Sequence, residues 1–117
     1  KVRFVLVTPI AFEDAADPLA PKASELNSNL NLYTVAIQEV GKSNGWPVID
    51  VFTATGAKFS DAVGLQWTQN GLFLNDEGDR LVAGLIDRQL FPNKSLSIQN
   101  AQYEAVRQMV LDKSWVH

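Results

Sequence analysis

The sequence predicts an α/β fold of three layers around a parallel sheet, of which this chain supplies only a part. Three observations carry that expectation. Two apolar runs rich in β-branched residues, 2–8 and 46–52, read as strands buried on both faces. Between them lies a segment with apolar residues spaced three and four apart. That makes a strand–helix–strand unit, which closes right-handed with its strands parallel. Two further amphipathic segments follow with no clear strand, so three helices face a sheet of two. Two strands alone leave long edges and uncovered apolar surface. The missing strands would come from the rest of a parent protein, another chain or a dimer mate.

Each element follows from its local chemistry. Pro9 ends the first run by removing a ladder donor. Residues 11–25 hold Asp14, Asp17, Pro18 and Pro21 and read as a loop with a helical turn; Glu13, Asp14 and Asp17 read as solvated loop charges, since their spacing is not that of a calcium loop. The helix that follows places Leu26, Leu30, Tyr33, Ile37 and Val40 on one stripe, with Asn27 or Ser28 as candidate caps and Asn44-Gly45 as the stop. Residues 53–67 read as a loop containing a short helix near 61–65, and Asp50 as a strand-end residue bonded to neighbouring backbone. A helix over 79–90 carries Leu81, Val82, Leu85, Ile86 and Leu90, with Asn75 or Asp76 placed to cap it. A last helix, capped by Ser97 or Asn100, carries Tyr103, Val106, Met109, Val110 and Trp115. Residues 1–91 are thus expected to form the core unit and 92–117 a helical extension.

Composition removes several function classes. The 117 residues carry a net charge of −3 with Lys and Arg scattered, so no basic footprint for nucleic acid is present. There is no cysteine, and the one histidine is His117 at the end, which excludes thiol catalysis and a multi-histidine metal site within one chain. No Gly-rich strand-to-helix turn offers a phosphate loop. No metal and no cofactor are therefore expected, and no segment is apolar enough to span a membrane. The opening residues are basic then apolar like a signal peptide, but the apolar part is short and no small-residue cleavage site follows. With Lys1 where an initiator Met would stand, the chain reads as a processed or truncated product.

In open α/β sheets ligands bind beyond the carboxyl ends of the strands. Here those ends are expected at 8–10 and 52–54, joined by the loop over 68–78. Thr8, Trp67 and Asn75 are the candidate substrate-binding residues at that edge. Trp67 is placed to stack on a sugar ring, although packing is the commoner role of such an aromatic.

The order Val-Leu-Val-Thr-Pro-Ile (5–10), Leu-Asn-Leu-Tyr-Thr-Val-Ala-Ile-Gln-Glu-Val (30–40), Trp-Pro-Val-Ile-Asp-Val-Phe (46–52) and Thr-Gln-Asn-Gly-Leu-Phe-Leu-Asn-Asp-Glu-Gly (68–78) resembles the C-terminal half of the SGNH/GDSL hydrolases, in the flavour of a planctomycete-type bacterial subgroup. The resemblance covers residues 2–91 and, more weakly, the tail at 106–113. It implies a flavodoxin-like three-layer fold and serine esterase chemistry on acyl or carbohydrate esters, with a lean towards an exported bacterial protein. In that family a closing Asp-x-x-His block supplies the general base and its orienting acid. Those positions are held here by Asn70 and Phe73. An amide oxygen still accepts from an imidazole, but a phenyl ring carries no proton and no lone pair. The family's Gly-Asp-Ser nucleophile block and its oxyanion Gly and Asn blocks precede the strand that opens this chain. The resemblance thus implies an ester-hydrolase segment that is inactive alone and whose partner is the missing N-terminal half. The alternative is a non-catalytic interaction or carbohydrate-binding module on the same scaffold.

Overall fold

The computed structural model describes residues 1–93 and 100–116. It is a mixed α/β structure: β1 (Leu6–Val7), α1 (Ala23–Asn44), β2 (Val48–Ile49), α2 (Val51–Ser60), α3 (Asp76–Leu90) and α4 (Asn100–Val116). The two strands pair in parallel, Leu6 with Val48 and Val7 with Ile49. Both are far shorter than the apolar runs that hold them. Residues 2–5 stay exposed and unpaired, although Phe4 lies against Trp46 with ring centroids 4.9 Å apart. A strand persists only where a neighbour takes its ladder bonds, and on β1 that neighbour extends only from Pro47 to Ile49.

The long helix α1 packs on both strands. Its buried positions are Ala23, Thr34 and Gly41, flanked by half-buried Leu26, Leu30 and Ile37, while Tyr33 and Val40 of the expected stripe are exposed. Neither Asn27 nor Ser28 caps it. The cap position is Lys22 without a side-chain bond, and the Ser28 hydroxyl donates back to Ser24 O at 3.0 Å. The helix stops at Gly45, which takes the left-handed conformation (φ 67°) that closes a helix end.

The expected second strand is cut to two residues, and its last two positions are helix. Val51 and Phe52 open α2, which fills 51–60, and the short helix expected at 61–65 is a series of turns and bends. The reason lies in capping. The Asp50 side chain accepts from Thr53 N at 2.9 Å, and the Thr8 hydroxyl accepts from the next two free amides, Val51 N and Phe52 N, both at 2.9 Å. Satisfying three orphan amides at one helix start outweighs the small strand preference of Val and Phe.

Helix α3 begins three residues before its expected start, at Asp76, and packs on α2 and β2. From it Gln89 reaches Asp50, where its Oε1 accepts from the backbone N–H at 2.9 Å and its Nε2 donates to the carbonyl at 3.1 Å. The last helix is present as α4, with Asn100 its first residue, but Tyr103, Val106, Met109, Val110 and Trp115 of its expected apolar face are exposed. Ser97 and His117 lie outside the described residues. Among the described residues no helix is long and apolar enough to cross a membrane.

Candidate functional site

Two chain segments meet beyond the carboxyl ends of the strands: the one leaving β1 (residues 8–16) and the one entering α3 (residues 66–75). The first is tied down residue by residue. Thr8 is buried, and besides its two bonds to α2 its hydroxyl lies 3.5 Å from Asp50 Oδ1. Asp50 Oδ2 accepts from Thr53 Oγ1 at 2.7 Å and Gln38 Nε2 at 3.2 Å, so one carboxylate joins α1 to the start of α2. Ala11 N–H donates to the buried Thr55 hydroxyl at 2.9 Å. The Asn27 side chain brackets the Phe12 backbone, accepting from its N–H at 2.7 Å and donating to its carbonyl at 3.0 Å.

Glu13 is the residue that sequence reasoning misplaced. It is no solvated loop charge: it is 0% exposed. Its Oε1 accepts from Gln66 N (2.8 Å) and Trp67 N (3.1 Å), and its Oε2 from Trp67 N (3.1 Å), Thr68 N (2.8 Å) and Thr68 Oγ1 (2.7 Å). The circuit closes through Gly71. Glu13 N–H donates to Gly71 O at 2.9 Å, and Gly71 N–H to the Thr68 hydroxyl oxygen at 2.8 Å. Gly71 itself needs its missing side chain. Its φ is +89°, and an added Cβ would run into the Phe12 ring and lie 2.8 Å from Glu13 O.

The second segment folds back on itself. Thr68 and Leu74 form an antiparallel bridge, Gln69 N–H donates to Phe73 O at 2.8 Å, and Asn75 N–H to Trp67 O at 3.1 Å. Asn75 caps α3, its Oδ1 accepting from Gly78 N at 2.9 Å, and its Nδ2 donates to Gln66 O at 2.9 Å. Asn70 Oδ1 accepts from Leu72 N (3.2 Å) and Phe73 N (3.0 Å), so its acceptor turns inward on its own loop. Phe73 is 63% exposed at the tip. Trp67 is half-buried, and its indole N–H is buried with no partner among the described residues.

Trp67, Asn70, Phe73 and Asn75 lie on the segment that Glu13 holds, whereas Thr8 is bonded to Asp50 and the start of α2. The polar atoms of Thr8, Asn70 and Asn75 hold the fold itself. Beside them, between the segment leaving β1, the start of α1 and the end of α2, opens a cavity of ≈540 Å³ whose walls include Phe12, Asp14, Asn27, Phe59 and Val63. Among the described residues no serine hydroxyl is hydrogen-bonded to a carboxylate. The hydroxyls of Ser28, Ser60 and Ser114 donate to the carbonyls four residues back on their own helices. Asp14 and Asp17 each accept from backbone two residues on, Ala16 N and Leu19 N.

No protein-family model matches this chain, and comparison with curated proteins and with solved structures gives no match.

Proposed function

We propose that this chain is the C-terminal half of an SGNH/GDSL-type ester hydrolase fold, a three-layer flavodoxin-like arrangement, and that alone it does not turn over. One observation supports the reading above the rest. The 68–78 segment, where the family carries its acid and base, is locked by Glu13 to the segment leaving β1. That is the edge where an α/β sheet presents its chemistry. Asn70 and Phe73 hold the family's acid and base positions. Asn70 accepts from its own loop, and Phe73 offers no proton acceptor. A serine nucleophile needs a base with a free lone pair; losing one lowers the rate about 10²–10⁴-fold.

The partner is the remaining half of the sheet. Leu6 and Thr8 turn their N–H groups to β2, which leaves Val7 N–H and C=O facing outward along β1, and Val5 and Val7 are exposed. A strand carrying the Gly-Asp-Ser block would pair there, in the same polypeptide, in another chain or in a dimer mate. The test is hydrolysis of p-nitrophenyl acetate by three proteins: this chain, this chain joined to a Gly-Asp-Ser-bearing half, and the joined protein with Phe73→His. Only the last is expected to turn over well above background. Robust hydrolysis by the unmodified 117 residues would overturn the reading.

A second reading is a binding module that kept the scaffold and lost the chemistry. The cavity beside Phe12 favours it, with apolar walls and the polar side chains of Asp14 and Asn27. It predicts that Phe73→His restores nothing in the joined protein, while a carbohydrate or acyl ligand perturbs the cavity residues.

A further inference from the structure

Glu13 is the most deeply buried ionisable side chain among the described residues, and nothing in the proposed chemistry uses it. Three consecutive backbone N–H groups, Gln66 to Thr68, converge on its two oxygens, with the Thr68 hydroxyl as a fourth donor. Successive amides aimed at one point make an anion-binding concavity. Every group aimed at these two oxygens is a donor, so an amide in the same place would turn its own N–H₂ donor towards donors.

We infer that residues 66–68 form a carboxylate-binding nest, that Glu13 is its built-in ligand, and that a free carboxylate of acetate size takes the nest when this side chain is cut back to Cβ. The atoms removed by Glu13→Ala are the CH₂ and the carboxylate, which together have the size of acetate. The nest sets the height of the whole 68–74 turn over the sheet edge, because the same circuit passes through Thr68 and Gly71. Glu13 is thus a positioning residue for Asn70 and Phe73, and it acts through backbone amides of a segment more than fifty residues away. The inference stands whether or not the chain belongs to a hydrolase.

The test is thermal unfolding and amide NMR of Glu13→Ala in sodium acetate, acetamide or sodium chloride, with the two salts at equal ionic strength. Acetate is expected to raise the midpoint saturably and to shift the amide signals of Gln66, Trp67 and Thr68. Acetamide and chloride should do neither, and the native chain should not respond to acetate. Equal effects of acetate and acetamide, or unmoved amides at 66–68, would overturn the inference. Should Glu13→Ala fail to fold, Glu13→Gln keeps the shape and replaces one acceptor by a donor. Hydrogen exchange at 66–68 should then speed up by about tenfold or more, as expected when a buried charge-assisted bond is lost. Protection equal to that of the native chain would equally defeat the proposal.

Discussion

Thr34 sits on the sheet-facing side of α1, 2% exposed, and its hydroxyl finds no partner among the described residues. A buried hydroxyl without a hydrogen bond costs about 1–3 kcal/mol. Valine has nearly the same shape and nothing to satisfy, so Thr34→Val is expected to stabilise the chain by about 1 kcal/mol, read from urea denaturation. Thr8 and Thr55 are the counterexamples: equally buried, with hydroxyls that each bind two or more backbone groups. The sequence does not separate these three threonines, because their partners are set by where the chain crosses itself. Glu13 fails to announce itself for the same reason. Its neighbours Asp14 and Asp17 bond locally, and a carboxylate in an acidic loop reads as solvated until the amides 53 to 55 residues away are brought to it.

Elements whose ends are fixed locally were legible. Asn75 caps α3 through Gly78 N, and Gly45 ends α1, both by side-chain or backbone chemistry within a few residues. Asn75→Ala should cost about 1 kcal/mol, the usual loss for such a cap, measured by chemical denaturation. The span of α2 was not legible. Asp50 interrupts Val-Ile-Asp-Val-Phe as a local cap for Thr53 N, but the Val51 and Phe52 amides are met only by the Thr8 hydroxyl, delivered from 43 and 44 residues away. The first apolar run overstated β1 for a related reason. Residues 2–5 have the composition of a buried strand, but no neighbouring strand reaches far enough to pair with them.

At the scale of the molecule, the described residues hold two strands of two residues and four helices, of which α1 and α3 pack on the strands. The Cα radius of gyration is 16.6 Å, where a compact domain of this length would have about 13 Å. Apolar side chains stand exposed on and just before β1 (Val7, Val5), on α1 (Leu32, Val35) and on α4 (Val106, Met109). An open strand edge with apolar flanks templates pairing between copies. The isolated chain is therefore expected to associate with rising concentration in sedimentation velocity. Val7→Lys, which places a charge on that strand, should weaken the association and leave the helical circular dichroism intact. Unchanged association in the variant would place the contact elsewhere. The α/β class was readable from the two apolar runs and the helix between them. The extent of the sheet was not, because it depends on neighbours that no local pattern encodes.

The side chain of Gln89 gives this sheet a direction. On β2 the Ile49 carbonyl accepts from Thr8 beside β1, and just past the strand the backbone groups of Asp50 turn the opposite way, where the Gln89 amide meets both of them. A side-chain amide thereby imitates the rung that an incoming polypeptide would have made, and at that rung the flank is occupied. A strand added there would have to displace that amide, so accretion is favoured on the far flank, and the order of a larger sheet built on this chain is biased before its next member arrives.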